Sequence, residues 1–208
     1  MATARTPAIF VDKDGTLIHD VPYNVDCTKI TFMPGALDAC RRLHEAGYAI
    51  VIATNQPGIA LDYYTCEDVW AVENYLRRLF EHAGVPLAGF YFCPHHPQGK
   101  IAPFNVACGC RKPEPGLLKL AATELELDLS RSWMIGDLLN DMEAAHRAGC
   151  RGAMFDSGGE TEWLSGPLRE PDIAADDWLF LAERILKQDA IDSLLSEYGV
   201  CLMPSRIC

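Results

Sequence analysis

Five short runs in this chain are apolar almost throughout, "AIFVD", "YAIVIAT", "GFYFC", "SWMIGD" and "GAMFD", and segments of helical periodicity separate them. A strand with apolar side chains on both faces must be covered on both faces, and helices alternating with strands supply that cover. The pattern predicts an α/β fold: a doubly wound, Rossmann-like parallel sheet with helices on both faces. Pro34 and Gly35 open the first helix, Leu37, Cys40 and Leu43 share one of its faces, and Gly47 closes it. The second helix spans about 67 to 83, with Val69, Val72, Leu76, Leu79 and Phe80 at helical spacing. Further helices are expected from Pro115 through Leu127, around Met142 to Ala148, and from about Asp177 to Lys187. The last twenty residues, "AIDSLLSEYGVCLMPSRIC" with the aspartate before them, read as a short amphipathic helix and a tail. Residues 1–188 are therefore expected to form one domain and 189–208 an appendage. Three stretches without periodicity, roughly 18–34, 94–113 and 157–172, are long enough to be functional loops but too short for a large cap domain.

In an open parallel sheet the reactive groups gather beyond the carboxyl ends of the strands. Asp12 and Asp14 end the first strand, Thr54 and Asn55 the second, and Asp137 the fourth. Carboxylates brought together repel and push one pKa upward unless a cation lies between them. Magnesium suits such a place, because it commonly binds one or two carboxylates together with substrate phosphate oxygens. A carboxylate is also a nucleophile toward phosphorus, and a neighbour two residues on can protonate the leaving oxygen. Each motif alone has a plainer reading. "DKDG" is also a strand ending in an Asp-Gly turn. "TNQ" is also a turn, and "GDLLND" is also a strand-to-helix turn with Asn140 or Asp141 as its cap. A calcium loop is excluded, since Thr16 and Leu17 stand where that loop needs an acidic or amide group and a glycine.

Of nine cysteines, Cys93, Cys108 and Cys110 cluster, with His95 and His96 beside the first. Three thiolates and one imidazole make a closed tetrahedral set of the kind that holds structural zinc. Packed thiols are the alternative; a redox pair is less suited, since Cys108 and Cys110 are not Cys-x-x-Cys. A metal clamp here would hold Arg111 and Lys112, which follow directly, toward the strand ends where the aspartates lie.

Composition limits partners and address. With 29 acidic and 18 basic residues the net charge is −11, and no Lys/Arg cluster offsets it, so nucleic acid is not an expected partner. No apolar run approaches 18 residues and the start lacks a secretory pattern, so neither a membrane span nor export is expected, and the cytoplasm is the expected address. The expected state is a monomer or weak oligomer.

Taken in order, these motifs resemble the haloacid dehalogenase superfamily of phosphotransferases. "DKDGT" resembles its first motif, Thr54 its second, Lys112 its third and "GDLLND" its fourth. The resemblance implies that Asp12 is the nucleophile, Asp14 the general acid and then base, and Thr54 and Lys112 donors to phosphate oxygens. It also implies that Asp137 binds magnesium together with Asp12 and the Asp14 carbonyl, and the Asp-x-Asp spacing implies phosphatase rather than dehalogenase chemistry. "CPHHPQG", "CGCRKPEPG" and "TNQPGIA" are similar to the subgroup containing the heptose bisphosphate and histidinol-phosphate phosphatases, over about residues 8–156. That similarity implies zinc on Cys93, His95, Cys108 and Cys110, phosphate or substrate contacts from Asn55 and Arg111, and a small phosphorylated sugar as substrate. Four positions depart from the subgroup: Pro57 stands for serine, Leu61-Asp62 for arginine-glycine, and Leu138 for lysine. Lost cations near the entrance imply weaker holding of a second phosphate, which leaves room for a monophosphorylated sugar. A zinc-stabilised interaction protein with degraded turnover is the non-enzymatic alternative.

Overall fold

The computed structural model describes residues 5–160 and 164–197. Its strands are β1 (Thr6–Val11), β2 (Ala49–Asn55), β3 (Leu87–Cys93), β4 (Leu127–Gly136), β5 (Arg151–Phe155) and β6 (Ile173–Ala175). The helices are α1 (Ala36–Glu45), α2 (Cys66–His82), α3 (Gly116–Glu124), α4 (Leu139–Ala148) and α5 (Trp178–Glu197), with a 3₁₀ turn at Cys27–Lys29. All six strands are parallel, in the order β3-β2-β1-β4-β5-β6.

The two-residue side-chain period of β1 sorts its residues to two cores. Ile9 and Val11 pack with Ile50, Ile52, Trp133 and Ile135 under Leu43 of α1, Leu76 and Phe80 of α2 and Trp178, Leu181 and Ile185 of α5. Ala8 and Phe10 face the other way, with Val51, Ala53 and Met134, under Leu117, Leu118 and Ala121 of α3 and Ala145 of α4. The sheet is therefore wound on both faces, as the unbroken apolar runs require. The order in which strands are added reverses at β1, whose neighbours are β2 on one side and β4 on the other. This reversal opens a crevice at the strand ends where Asp12 emerges, tied back by its N–H to the Ile135 carbonyl at 2.9 Å.

The segment 18–34 folds back as a compact excursion rather than a cap: Ile18 bridges to Asp14 and to Phe32, and the Met33 N–H donates to the Leu17 carbonyl at 3.0 Å. The Trp178 indole N–H, from the start of α5, donates to the Thr16 carbonyl at 3.0 Å and anchors the loop after β1 from behind.

Several elements differ from the sequence expectation. The third helix stops at Glu124, not Leu127, because Glu126 takes a left-handed conformation (φ 53°) and Leu127 pairs with Thr6 in the sheet. β6, only three residues long, pairs with β5 and was hidden by its brevity. The expected break near residue 188 is absent: α5 runs unbroken from Trp178 to Glu197, so a boundary at 188/189 falls inside a helix. Arg151 holds that far half, 2.6 Å from Asp192 and paired as well with Asp189. The tail 198–208, with Cys201 and Cys208, lies outside the described residues.

Candidate active site

One cavity of about 480 Å³ opens at the carboxyl ends of β1, β2 and β4, and its walls include Asp12, Asp14, Thr54, Asn55, Lys112 and Asp137. Arg111 is there too. The chain makes this approach with small residues. Gly15 has φ 78°, and any side chain on it would run into the Asp137 carboxylate. A side chain on Gly159, in the 157–172 loop, would meet the same carboxylate. Thr16 then donates its hydroxyl to Asp137 Oδ1 at 2.8 Å and sets its orientation.

Lys112 is the charge centre of the site. It is buried, its Nζ lies 2.7 Å from Asp12 Oδ1 and 2.6 Å from Asp141 Oδ1, and it donates to the Ala53 carbonyl at 2.9 Å. Asn55 fixes the lysine's backbone with a reciprocal pair: its Nδ2 donates to the Lys112 carbonyl at 3.1 Å and its Oδ1 accepts from the Lys112 N–H at 3.0 Å. Burial alone would lower the lysine pKa, but Asp12 and Asp141 together more than offset it, and the ammonium is held above its ordinary value.

Asp141 is the site residue that sequence reasoning left as a helix cap. It serves that purpose, with Oδ2 accepting the Leu138 N–H at 3.2 Å, and its other oxygen faces Lys112. Asn140 does not cap; its side chain accepts from Arg169. The available sign was spacing: four residues after Asp137, the first turn of α4 turns Asp141 back to the same edge. Gly136 leaves the space, since a side chain there would overlap the Asp141 carboxylate.

Buried oxygens of Asp12, Asp137 and Asp141 lie within 4.8 Å of one another. Burial first, then Asp12 and Asp141, pushes the Asp137 carboxyl up to about 7. Burial likewise pushes Asp141 to about 6, against the pull of Lys112. Three such carboxylates with one ammonium carry surplus negative charge, and a hard divalent cation on oxygen ligands would relieve it. The donor set fits magnesium. In the same cavity, Arg111 Nη1 is buried and meets no hydrogen-bond partner among the described residues, so a cationic donor is left for an anion.

Asp14 is held differently. Lys13, itself buried, donates to Oδ1 at 2.5 Å, and Gln56 Nε2 donates to Oδ2 at 3.0 Å. Burial outweighs the lysine and raises the Asp14 pKa. Lys13 and Gln56 lie inside the motifs "DKDGT" and "TNQ", and neither is assigned a role from the sequence.

The cysteine cluster closes beside Arg111. Cys110 Sγ lies 3.2 Å from Cys93 Sγ, 3.2 Å from Cys108 Sγ and 3.3 Å from His95 Nδ1, and Cys93 Sγ is 3.6 Å from that nitrogen. Metal–sulfur bonds of about 2.3 Å put tetrahedral sulfurs roughly 3.8 Å apart, so these four ligands stand near the edge length such a centre needs. Hydrogen bonding from Cys93, then Cys108 and His95, holds the Cys110 thiol down to about 5, the thiolate form that a metal takes. His96 is outside this set, its Nδ1 accepting from the Gln98 N–H at 3.2 Å. Of the positions that depart from the subgroup, Pro57 and Leu138 line the cavity, whereas Leu61 and Asp62 do not.

A family model described as HAD-hydrolase-like matches residues 109–179. A D-glycero-beta-D-manno-heptose-1,7-bisphosphate 7-phosphatase of Yersinia pestis is 45% identical over 143 residues, covering 69% of this chain and 76% of that protein. A D-glycero-D-manno-heptose-1,7-bisphosphate 7-phosphatase of Thermosynechococcus vestitus is 38% identical over 178 residues, 82% of this chain and 91% of that one. Among solved structures, a D,D-heptose 1,7-bisphosphate phosphatase from B. bronchiseptica, complexed with magnesium and phosphate, superposes with a TM-score of 0.74 at 29% identity, over 88% of this chain and 99% of that one.

Proposed function

This chain belongs to the haloacid dehalogenase-like hydrolases and is a phosphatase, and from that membership we propose that it removes the 7-phosphate of D-glycero-D-manno-heptose 1,7-bisphosphate through an aspartyl-phosphate on Asp12. The observation that carries the reading is the meeting of Asp12, Asp137, Asp141 and Lys112 at one strand edge, with Arg111, whose Nη1 meets no hydrogen-bond partner among the described residues, lining the same cavity. The intact set of Asp12, Asp14, Thr54, Lys112 and Asp137 weighs against the non-enzymatic alternative.

Magnesium bound by Asp12, Asp137 and the Asp14 carbonyl, with Asp141 beside them, would neutralise phosphate charge. The chain's own groups do the rest. Lys112, Thr54 and Arg111 donate to the phosphoryl oxygens and bring phosphorus to Asp12. The Asp12 oxygen bonds to phosphorus as the bond to the sugar oxygen breaks, and Asp14 gives that oxygen its proton. Water then attacks phosphorus, returns a proton to Asp14, and releases Asp12 and inorganic phosphate.

The substrate is tested by steady-state kinetics with magnesium on heptose 1,7-bisphosphate, a heptose 7-monophosphate and histidinol phosphate. The bisphosphate should lose its 7-phosphate, with kcat/KM at least about tenfold above histidinol phosphate, the scale of one or two misplaced contacts. Equal or better turnover of histidinol phosphate would reject the heptose reading. Leu138 in the cavity wall supports a second reading, a monophosphorylated sugar, which the 7-monophosphate arm decides.

Zinc on Cys93, His95, Cys108 and Cys110 is part of the proposal. Elemental analysis of metal-replete protein should find about one zinc per chain, and Cys108→Ser should lower it severalfold. The variant should also lose activity, because the clamp carries Arg111 and Lys112, while far-UV circular dichroism changes little. Full activity in zinc-free protein would reject the clamp. Seven described cysteines are unpaired, which supports a reducing compartment, the cytoplasm. No described helix is long and apolar enough to cross a membrane. A monomer or weak oligomer remains our reading of the assembly.

A further inference from the structure

The loop after β2 makes an excursion that phosphate chemistry alone does not require. Gln56, buried at the strand end, donates from one amide nitrogen to Asp14 Oδ2 and to Thr54 Oγ1, each at 3.0 Å. Its carbonyl oxygen accepts the Tyr64 hydroxyl at 2.7 Å. Tyr64 reaches back because the segment between turns on itself, the Tyr63 N–H donating to the Gly58 carbonyl at 2.9 Å. The Tyr64 ring lies close enough to Gly58 that any side chain there would collide with it. Outside the loop, the Lys100 N–H donates to the Ala60 carbonyl at 2.6 Å and ties the excursion to the segment that carries the cysteine cluster.

We propose that Tyr64 and Gln56 are positioning residues for the acid–base carboxyl of Asp14: Tyr64 fixes which way the Gln56 amide faces, and Gln56 fixes the plane of the carboxyl. This inference rests on the reading of Asp14 as the proton donor to the leaving oxygen. A primary amide can turn over and exchange its oxygen for its nitrogen at little cost in shape. Turned over, Gln56 would set a carbonyl oxygen against Asp14 Oδ2, acceptor against acceptor. The Tyr64 hydroxyl proton favours the orientation in which the nitrogen faces Asp14. Lys13 holds the other carboxyl oxygen from a separate direction. Each oxygen keeps a second lone pair, so Asp14 can carry a proton and pass it to the departing sugar oxygen with both contacts in place. Tyr64 does not line the cavity, so it acts through Gln56 rather than on substrate.

The leaving group separates positioning from mere support. A dinitrophenolate departs without help, whereas an alkoxide must be protonated as it leaves, so a fault in Asp14 shows selectively on alkyl phosphates. The experiment measures kcat/KM of the magnesium-loaded protein on an alkyl phosphate and on dinitrophenyl phosphate. Tyr64→Phe keeps the ring over Gly58 and removes only the hydroxyl; it should lower the alkyl value about tenfold and the dinitrophenyl value less than about twofold. Gln56→Leu should go further in the same direction. Asp14→Asn sets the benchmark with a loss of about 100-fold or more on the alkyl ester alone. If Asp14→Asn loses both substrates alike, the proton-donor reading fails and the relay with it. If Asp14→Asn discriminates but Tyr64→Phe lowers both substrates equally, or neither, the relay alone is overturned. Should Gln56→Leu fail to fold, Tyr64→Phe still decides.

Discussion

Asparagine in place of Asp12 is expected to lower kcat/KM by about 10⁴-fold or more, while thermal unfolding shows a folded protein. The exchange keeps the shape and removes the charge and the nucleophilic oxygen. Asp12 ends a strand whose four preceding residues are fully buried, and its N–H is tied to Ile135, so the position itself will not move. Lys112 keeps Asp141 and the Ala53 carbonyl after the exchange, so no buried ammonium is stranded. Loss of rate therefore reports chemistry. Rapid quenching of the parent protein during turnover, followed by intact-mass measurement, should show one phosphoryl group on the chain, and Asp12→Asn should show none. An Asp12→Asn protein as active as its parent would remove Asp12 from the role of nucleophile.

The sequence discloses this fold where side-chain periodicity is set by the sheet itself. β1 reads as buried because both of its faces are, and the same holds for β2 and the second half of β4. Strand ends are legible for the same reason: Asp12, Thr54 and Asp137 each follow an apolar run, so a rule about parallel sheets brings them together before any distance is known. The cysteine cluster is legible through ligand type and spacing, which are local. What escapes is decided at long range. Leu127 looks helical in its own neighbourhood and becomes a strand residue because Thr6 is there to pair with it. β6 exists only as a partner of β5. Asp141 is both cap and site residue, and nothing local distinguishes one use from two. Tyr64 reaches Gln56 only because Gly58 admits its ring, a contact that no periodicity encodes.

Lys112→Met should combine a stability loss with a catalytic one, and the two can be told apart by pH and by metal. The lysine is buried between Asp12 and Asp141, so its removal leaves carboxylates facing each other without their counter-charge. Breaking a buried pair in this way costs about 3 to 5 kcal/mol, or roughly 6 to 20 °C in Tm for a chain of this size, in metal-free protein at pH 8. The sign of the pH effect follows from the carboxylates. In the parent, Asp137 and Asp141 are raised to about 7 and about 6, so the folded state binds their protons more tightly than the unfolded chain does. Their stabilising contribution is complete below about pH 4 and is lost as pH rises through 6 and then 7. Without Lys112 the pull that lowers Asp141 disappears and its pKa climbs further. The deficit of the variant should be largest above pH 7 and shrink toward pH 5, whereas loss of an ordinary surface ion pair would cost the same at both pH values. Saturating magnesium should raise the stability of the variant above its metal-free value, by about 2.7 kcal/mol at one hundred times its Kd, because a cation relieves the carboxylates. Activity should not return with it. A methionine cannot donate to a phosphoryl oxygen, and loss of one such donor costs about 10² to 10³ in kcat. Thermal unfolding at pH 5 and pH 8, with and without magnesium, beside phosphate-release assays, reads all of this; equal destabilisation at both pH values would mean that Lys112 does not balance the carboxylate cluster.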